Sequence, residues 1–313
     1  MATGAQTEMS SGPAIQLDGI VKRFGRTTAL DGLSLSVGRG ELVGLLGPNG
    51  AGKTTAIKLL LGLIRPTTGT GSVLGAPLGD RAARTRIGYL PELFRFQPWL
   101  DAHEVLRLHA ELARIPSARQ AAVIDEALEI VDLADRADDQ VSTFSKGMQQ
   151  RLGLAVALLG DPELILLDEP TSALDPVGRS DVRAIVRRAR DRGATVILNS
   201  HLLTEVERVC DRVVILHHGR TIAAGSLDEV VAGDGVRIRA TDLAEPGLTL
   251  APFGAIGEDG DWLTISALPA ARIPEVVAAI VAAGGRIHAV EPAGGSLEVR
   301  FLELMAAEPR SDP

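Results

Sequence analysis

Apolar and polar positions alternate along residues 14–46, with Ile15, Leu17 and Ile20 followed by Leu33, Leu35 and Val37. That period of two predicts antiparallel strands with one buried face. Glu41-Leu42-Val43-Gly44-Leu45-Leu46 is almost wholly apolar and predicts a buried strand, and Ala56-Ile57-Lys58-Leu59-Leu60-Leu61 predicts a helix. From Asp101 to about Asp139 the period lengthens. Val105, Leu106, Leu108 and Leu112, then Val123, Ile124, Leu128, Ile130 and Val131, fall at helical spacing, which predicts a mainly helical insert. Residues 163–167 and 194–198 are short unbroken apolar runs with a helical stretch between them, a pattern that suits the core of a parallel sheet. Residues 213–216 and 221–223 flank His217-His218-Gly219 and predict a hairpin.

The texture changes near Gly225. Residues 226–313 are rich in Gly and Ala, with strand-like runs at 236–240, 262–266 and 286–290 and a helical stretch at 273–283. They predict a small second α+β domain. The longest apolar stretches, 152–160 and 276–283, are about half of the ~18–20 residues needed to cross a bilayer, so a membrane role requires a partner. Residues 1–12 are small and polar. They predict a disordered tail and have neither the basic start nor the apolar segment of a secretory signal. The last eight residues read as frayed.

Chemistry enters between the buried strand and the first helix. Gly47-Pro48-Asn49-Gly50-Ala51-Gly52-Lys53-Thr54-Thr55 satisfies G-x-x-x-x-G-K-[ST]. Glycines let backbone N–H groups turn inward around phosphate oxygens, and the helix N-terminus adds its positive dipole end. Lys53 can reach terminal phosphates, and the Thr54 hydroxyl can ligate magnesium. Asp168 and Glu169 follow the apolar run at 164–167. A carboxylate at the C-terminal end of a strand in an α/β sheet points at the ligand crevice. Asp168 can hold magnesium, and Glu169 is placed to orient or deprotonate water.

Charge and cysteine usage narrow the partners. The 313 residues carry 32 basic and 40 acidic side chains, a formal net charge of −8. That acidic balance speaks against nonspecific nucleic-acid binding, and no nucleic-acid partner is expected. Cys210 is the sole cysteine. It permits no intrachain disulfide, which suits a reducing compartment, and it reads as a small buried apolar residue.

Further along, Phe144-Ser145-Lys146-Gly147-Met148-Gln149-Gln150-Arg151 resembles the signature of ATP-binding cassette (ABC) ATPases, Leu-Ser-Gly-Gly-Gln followed by a basic, Gln-rich turn. Ser172-Ala173-Leu174-Asp175 matches that family's D-loop, and Asn199-Ser200-His201 its switch histidine. Phe24, in Lys22-Arg23-Phe24-Gly25, sits where the family places an aromatic that stacks on adenine. The motifs follow in the family's order over residues 14–225. The chain therefore resembles the nucleotide-binding subunit of an ABC transporter, of the subfamily paired with small six-helix permeases that mostly export.

The resemblance implies an α/β fold: a RecA-like core with an antiparallel β-subdomain and a helical insert at about 93–155. This ABC ATPase domain would span 13–225, and an α+β accessory domain 226–313. The resemblance implies ATP and Mg2+ as cofactors. Nucleotide would be held by Phe24, by residues 47–55, and by Ser145, Lys146, Gly147, Met148 and Asp175. Metal would be held by Thr54, Asp168 and Glu92. Hydrolysis would fall to Glu169, His201 and Glu92. One chain carries one phosphate loop and one signature, so the working unit is a head-to-tail pair of copies. That pair would drive a separate integral-membrane permease from the cytoplasmic face. The alternative is a soluble ABC ATPase with a non-transport regulatory role.

Departures from the family pattern leave three points open. Lys146 stands where glycine is usual and Met148 where glutamine is usual; Lys146 either adds charge toward nucleotide or is simply solvated. Glu92, in Gly88-Tyr89-Leu90-Pro91-Glu92, replaces the usual glutamine and adds a negative charge near phosphates. Tyr89, Phe94, Phe96 and Trp99 crowd the segment where the family docks its permease, and each is either core packing or a docking contact. His103, His109, His217, His218 and His288 have no metal-ligand spacing and read as structural.

Overall fold

The computed structural model describes residues 12–307 apart from 173, 232–234, 244, 267 and 294–295. The expected tail at 1–12 and the frayed end therefore lie almost wholly outside the described residues. The chain divides into two units, Met1–Ala223 and Ala224–Pro313.

The first unit opens with β1 (Ile15–Phe24), β2 (Thr27–Val37), β3 (Leu42–Leu46), α1 (Lys53–Leu60), β4 (Thr68–Val73), β5 (Ala76–Pro77), α2 (Arg81–Arg84) and β6 (Ile87–Leu90). Three longer helices follow: α3 (Ala102–Leu112), α4 (Ser117–Ile130) and α5 (Lys146–Leu158). Then come β7 (Leu164–Asp168), α6 (Pro176–Asp191), β8 (Thr195–Asn199), α7 (Leu203–Val209), β9 (Arg212–His217) and β10 (Arg220–Ser226), which ends just past the boundary.

Two sheets result. β2-β1-β4-β5 is antiparallel, with Ile15 opposite Val37 and Leu17 opposite Leu35. β10-β9-β3-β8-β7-β6 is the central sheet, parallel from β9 to β6. The alternation over 14–46 thus yields antiparallel strands only as far as β2. β3 is parallel to β8 and β9, because its five residues are all buried and it is covered on both faces. β7 and β8 are buried throughout in the same way. Each such Leu, Ile or Val contributes roughly 1.5–3 kcal/mol of burial.

Local signals set the ends of the helices. Asp101 and Glu104 form a reciprocal capping box at α3. Ser145 caps α5, and Asp175 caps α6 ahead of Pro176 at its first position. α7 lies close on β3: a Cβ on Gly44 would come within 2.4 Å of Val206 Cγ1 and 3.4 Å of the buried Cys210 thiol. Burial pushes that thiol's pKa up. Among the described residues no helix is long and apolar enough to cross a membrane.

The second unit runs α8 (Leu227–Val231), β11 (Gly235–Thr241), α9 (Pro246–Leu250), β12 (Ala255–Asp259), β13 (Trp262–Ser266), α10 (Ile273–Ala282), β14 (Arg286–Pro292) and α11 (Leu297–Ala307). Its sheet, β12-β13-β11-β14, is antiparallel. Val236, Ile238, Ile265, Val276 and Ile280 share a core of their own. α8, α9, β12 and α11 add to the elements read from the sequence.

Candidate functional site

Residues 47–52 turn from β3 into α1. Gly47, Gly50 and Gly52 have φ of 152°, 81° and 104°, which a residue with a Cβ rarely adopts. Space is also short. A Cβ on Gly47 would lie 2.4 Å from the Leu216 carbonyl, and one on Gly52 2.7 Å from the Ala29 carbonyl. The Gly219 N–H holds the loop from the β9–β10 turn, donating to the Ala51 carbonyl at 2.9 Å. Lys53 folds back over the loop, its Nζ donating to the carbonyls of Gly47 at 2.6 Å and Pro48 at 3.2 Å. Burial lowers the Lys53 pKa, while the charges of Glu169, Asp168 and Glu92 oppose that shift. Ala51 is buried, Pro48 and Thr55 are half-buried, and Asn49 and Thr54 are exposed.

The carboxylates arrive from β7. Asp168 is 4% exposed and accepts a hydrogen bond from Asn199 Nδ2 at the end of β8. Burial raises its pKa and Glu92 adds to the rise; the Asn199 bond and the charges of Lys53 and Lys58 pull it back. Glu169 has φ of 52°, a left-handed backbone that few non-glycine residues hold without support. The support comes from β8 and the turn after it. Glu169 N–H donates to the Asn199 carbonyl at 2.9 Å. Its Oε1 accepts from His201 N–H at 2.9 Å, and its Oε2 meets His201 Nδ1 at 2.7 Å. Burial raises the Glu169 pKa, and His201 restrains the rise. A buried carboxylate with a raised pKa, oriented by an exposed imidazole, is suited to accepting a proton from water.

Glu92 is exposed just beyond β6, and its charge acts on Lys53, Asp168 and Tyr89. Phe24 ends β1 half in solvent, with Lys22 Nζ 4.9 Å from its ring centre. The phosphate loop, Glu92, Asp168, Glu169 and His201 therefore form one electrostatic and hydrogen-bonded cluster.

The signature residues gather elsewhere. Ser145 Oγ accepts from Met148 N–H at 3.2 Å, and Asp175 Oδ1 accepts from Gly178 N–H at 2.7 Å. An open cleft of about 420 Å³ is lined by Ser145, Lys146, Gly147, Leu174, Asp175 and Asp181 among others. Its lining includes no residue of the phosphate loop, nor Asp168, Glu169 or His201. Within one chain these are two separate clusters.

The sequence offers Asn199 only as a flank of His201 and gives no sign of its bond to Asp168. The available signal of a role was a polar side chain closing an otherwise apolar strand. The aromatic segment divides: Tyr89 packs on the core, and a Cβ on Gly153 of α5 would come 2.9 Å from the Phe94 ring. Phe94 and Phe96 meet at a tilt of 54°, with ring centres 5.2 Å apart. Trp99, by contrast, is 67% exposed and Leu93 87%.

Residues 30–172 match the family described as ABC transporter. The chain is 38% identical to the daunorubicin resistance ATP-binding protein of Streptomyces coeruleorubidus, over 95% of this chain and 97% of that protein. It is 34% identical to the Nod factor export ATP-binding protein I of Ralstonia nicotianae, over 96% of this chain and 97% of that one. A solved structure titled as the ATP binding subunit of an ABC transporter superposes with a TM-score of 0.63 at 33% identity, covering 69% of this chain and 91% of that one.

Proposed function

The chain belongs to the ABC transporter family as an ATP-binding subunit, and on that premise we propose that it hydrolyses Mg·ATP to drive a separate export permease. The observation that carries this reading is the Glu169 carboxylate, buried beside Asp168 and held on both oxygens by His201. In this reading, Lys53 exchanges the carbonyls of Gly47 and Pro48 for phosphate oxygens. The N–H groups of residues 49–55 wrap the remaining phosphate oxygens, and the exposed face of Phe24 stacks on adenine.

Mg2+ fits the donor set, because the Thr54 hydroxyl and the Asp168 carboxylate are hard oxygen ligands. A cation beside Asp168 also offsets the burial that raises its pKa. When bound, the ion neutralises phosphate charge. Glu169 accepts a proton from the attacking water, and His201 fixes the carboxylate's orientation. Glu92 adds an acceptor at the rim of the cluster.

The two separate clusters support a head-to-tail pair. The Ser145–Gly147 turn of one copy would close on the phosphate held by the other, with Asp175 at the seam. Exposed Leu93 and Trp99 support a permease contact, and with that contact the subunit would work at the cytoplasmic face of the membrane. Relatives named for Nod factor export and daunorubicin resistance support the export direction. The test is co-expression with the permease: export should follow ATP turnover and stop with Glu169→Gln. Export that continues without turnover overturns the proposal.

A further inference from the structure

α6 presents arginines at positions 183, 187 and 190, a spacing of four and three that puts all three on one helix face. Each engages α7 or the residues just after it. Arg183 Nη1 pairs with Glu205, Arg187 Nη2 donates to the Arg208 carbonyl, and Arg190 Nη1 donates to Asp211 Oδ1 at 2.7 Å. Asp211 in turn accepts from Leu42 N–H at 3.0 Å, where β3 begins. The first contact differs from the others. Arg183 and Glu205 are 15% and 7% exposed; among the described residues no other ion pair has both side chains so deeply covered.

Glu205 lies in the first turn after His201. Its own N–H donates to the Leu202 carbonyl at 3.0 Å, and Leu202 N–H donates to Ser200 Oγ at 3.1 Å. The turn that carries His201 is thus closed by the residue that Arg183 pins. At the other end, α6 starts at the Asp175 cap, and Arg179 Nε ties back to the Leu174 carbonyl at 3.1 Å. Hydrogen bonds and the intervening backbone thus link Asp175, through α6, Arg183 and Glu205, to the turn that carries His201, and His201 in turn bonds Glu169.

We propose that Arg183 and Glu205 are positioning residues for ATP hydrolysis: their buried pair fixes the His201 turn against α6, so that the Glu169 carboxylate is held in its working orientation. This rests on the reading of Glu169 and His201 given above. A charged pair suits the task because it is directional, whereas apolar packing would let the turn settle in several ways. Small misplacements near reacting groups are costly in rate while barely touching affinity.

The test uses the full chain and the paired replacement Arg183→Met with Glu205→Leu, since apolar replacement of a buried ion pair commonly preserves folding. Thermal midpoint, MgATP affinity and single-turnover hydrolysis are measured together. The expected result is a folded protein with unchanged affinity and a rate lower by roughly tenfold or more. In a His201→Ala background the same replacement should bring no further loss, because both changes act through one group. Arg183→Lys, which keeps the charge, should recover part of the rate. An unchanged rate in the folded replacement overturns the proposal, and so does an equal loss with and without His201. Should the replacement fail to fold, Glu205→Gln serves in its place under the same criteria. If His201→Ala or Glu169→Gln alone keeps full turnover, the parent reading fails instead, and the two failures are distinguishable.

Discussion

His201 holds both carboxylate oxygens of Glu169, one through its backbone N–H at 2.9 Å and the other at Nδ1, 2.7 Å away. In the proposed mechanism, orientation and proton acceptance would thus fall to this one pair, apart from the residues that would grip phosphate. Glu169→Gln is expected to bind MgATP as the parent does. Its turnover should fall by about 10²-fold or more, as for loss of a general base. Nucleotide titration and a phosphate-release assay check this, with sizing chromatography in ATP expected to show a persistent dimer.

Lys53→Ala is expected to weaken ATP binding by about ten- to a hundredfold, the range for losing one hydrogen bond to a charged group. The apo loop should survive, because Gly219 and Ala51 fix it independently of the lysine. Calorimetric titration together with a thermal melt separates the two effects.

Phe94 and Trp99 are expected to part company. Phe94→Ala opens space against α5 and should cost about 1–3 kcal/mol of stability, below the range for a fully buried ring. Trp99→Ala with Leu93→Ser should leave the melt unchanged and weaken co-purification with the permease. Equal destabilisation by both changes would remove the docking role of this segment.

Glu163 offers a pH signature. It pairs with Arg86 through both oxygens and with Arg39 at 2.8 Å. The Arg86 hydrogen bond, ahead of the opposing effect of partial burial, lowers its pKa in the folded protein. A depressed carboxylate adds stability above its unfolded pKa and loses it as the pH falls through the folded value. Glu163→Gln should therefore melt lower than the parent at pH 7, with the gap closing as the solution is acidified below the ordinary glutamate range. A gap that widens in acid contradicts the pairing.

A chain ending after Ser226 keeps every strand of the central sheet and every proposed site residue. It is expected to fold and bind MgATP with the parent's affinity, while dimerisation or turnover shifts severalfold. Loss of ATP binding at saturating magnesium would make residues 227–313 part of the site.

The phosphate loop was legible because its chemistry is local: glycines for φ that others avoid, then Lys53 and Thr54 at a helix start. The signature turn was legible for the same reason, with Ser145 as a cap. What the sequence does not display depends on partners distant along the chain. Nothing in Asp168-Glu169-Pro170 announces a φ of 52°; β8 imposes it by receiving the Glu169 N–H. The Asn199–Asp168 bond joins residues 31 apart. β12 reads Ala-Ile-Gly-Glu-Asp, too weak a strand signal to stand out without β13 beside it. α11 begins with Leu297, Val299 and Phe301 at alternate positions, which masks a helix.

Cys210 lies against Gly44 beneath α7, 7% exposed and held in its protonated form by burial, so the native chain presents no reactive sulfur to reagents in solution. A cysteine placed at Val177, 71% exposed beside the Asp175 cap, would be the only position to take a spin label or fluorophore. The opening and closing of the proposed pair of copies could then be followed as a distance in real time, with no background thiol to remove first.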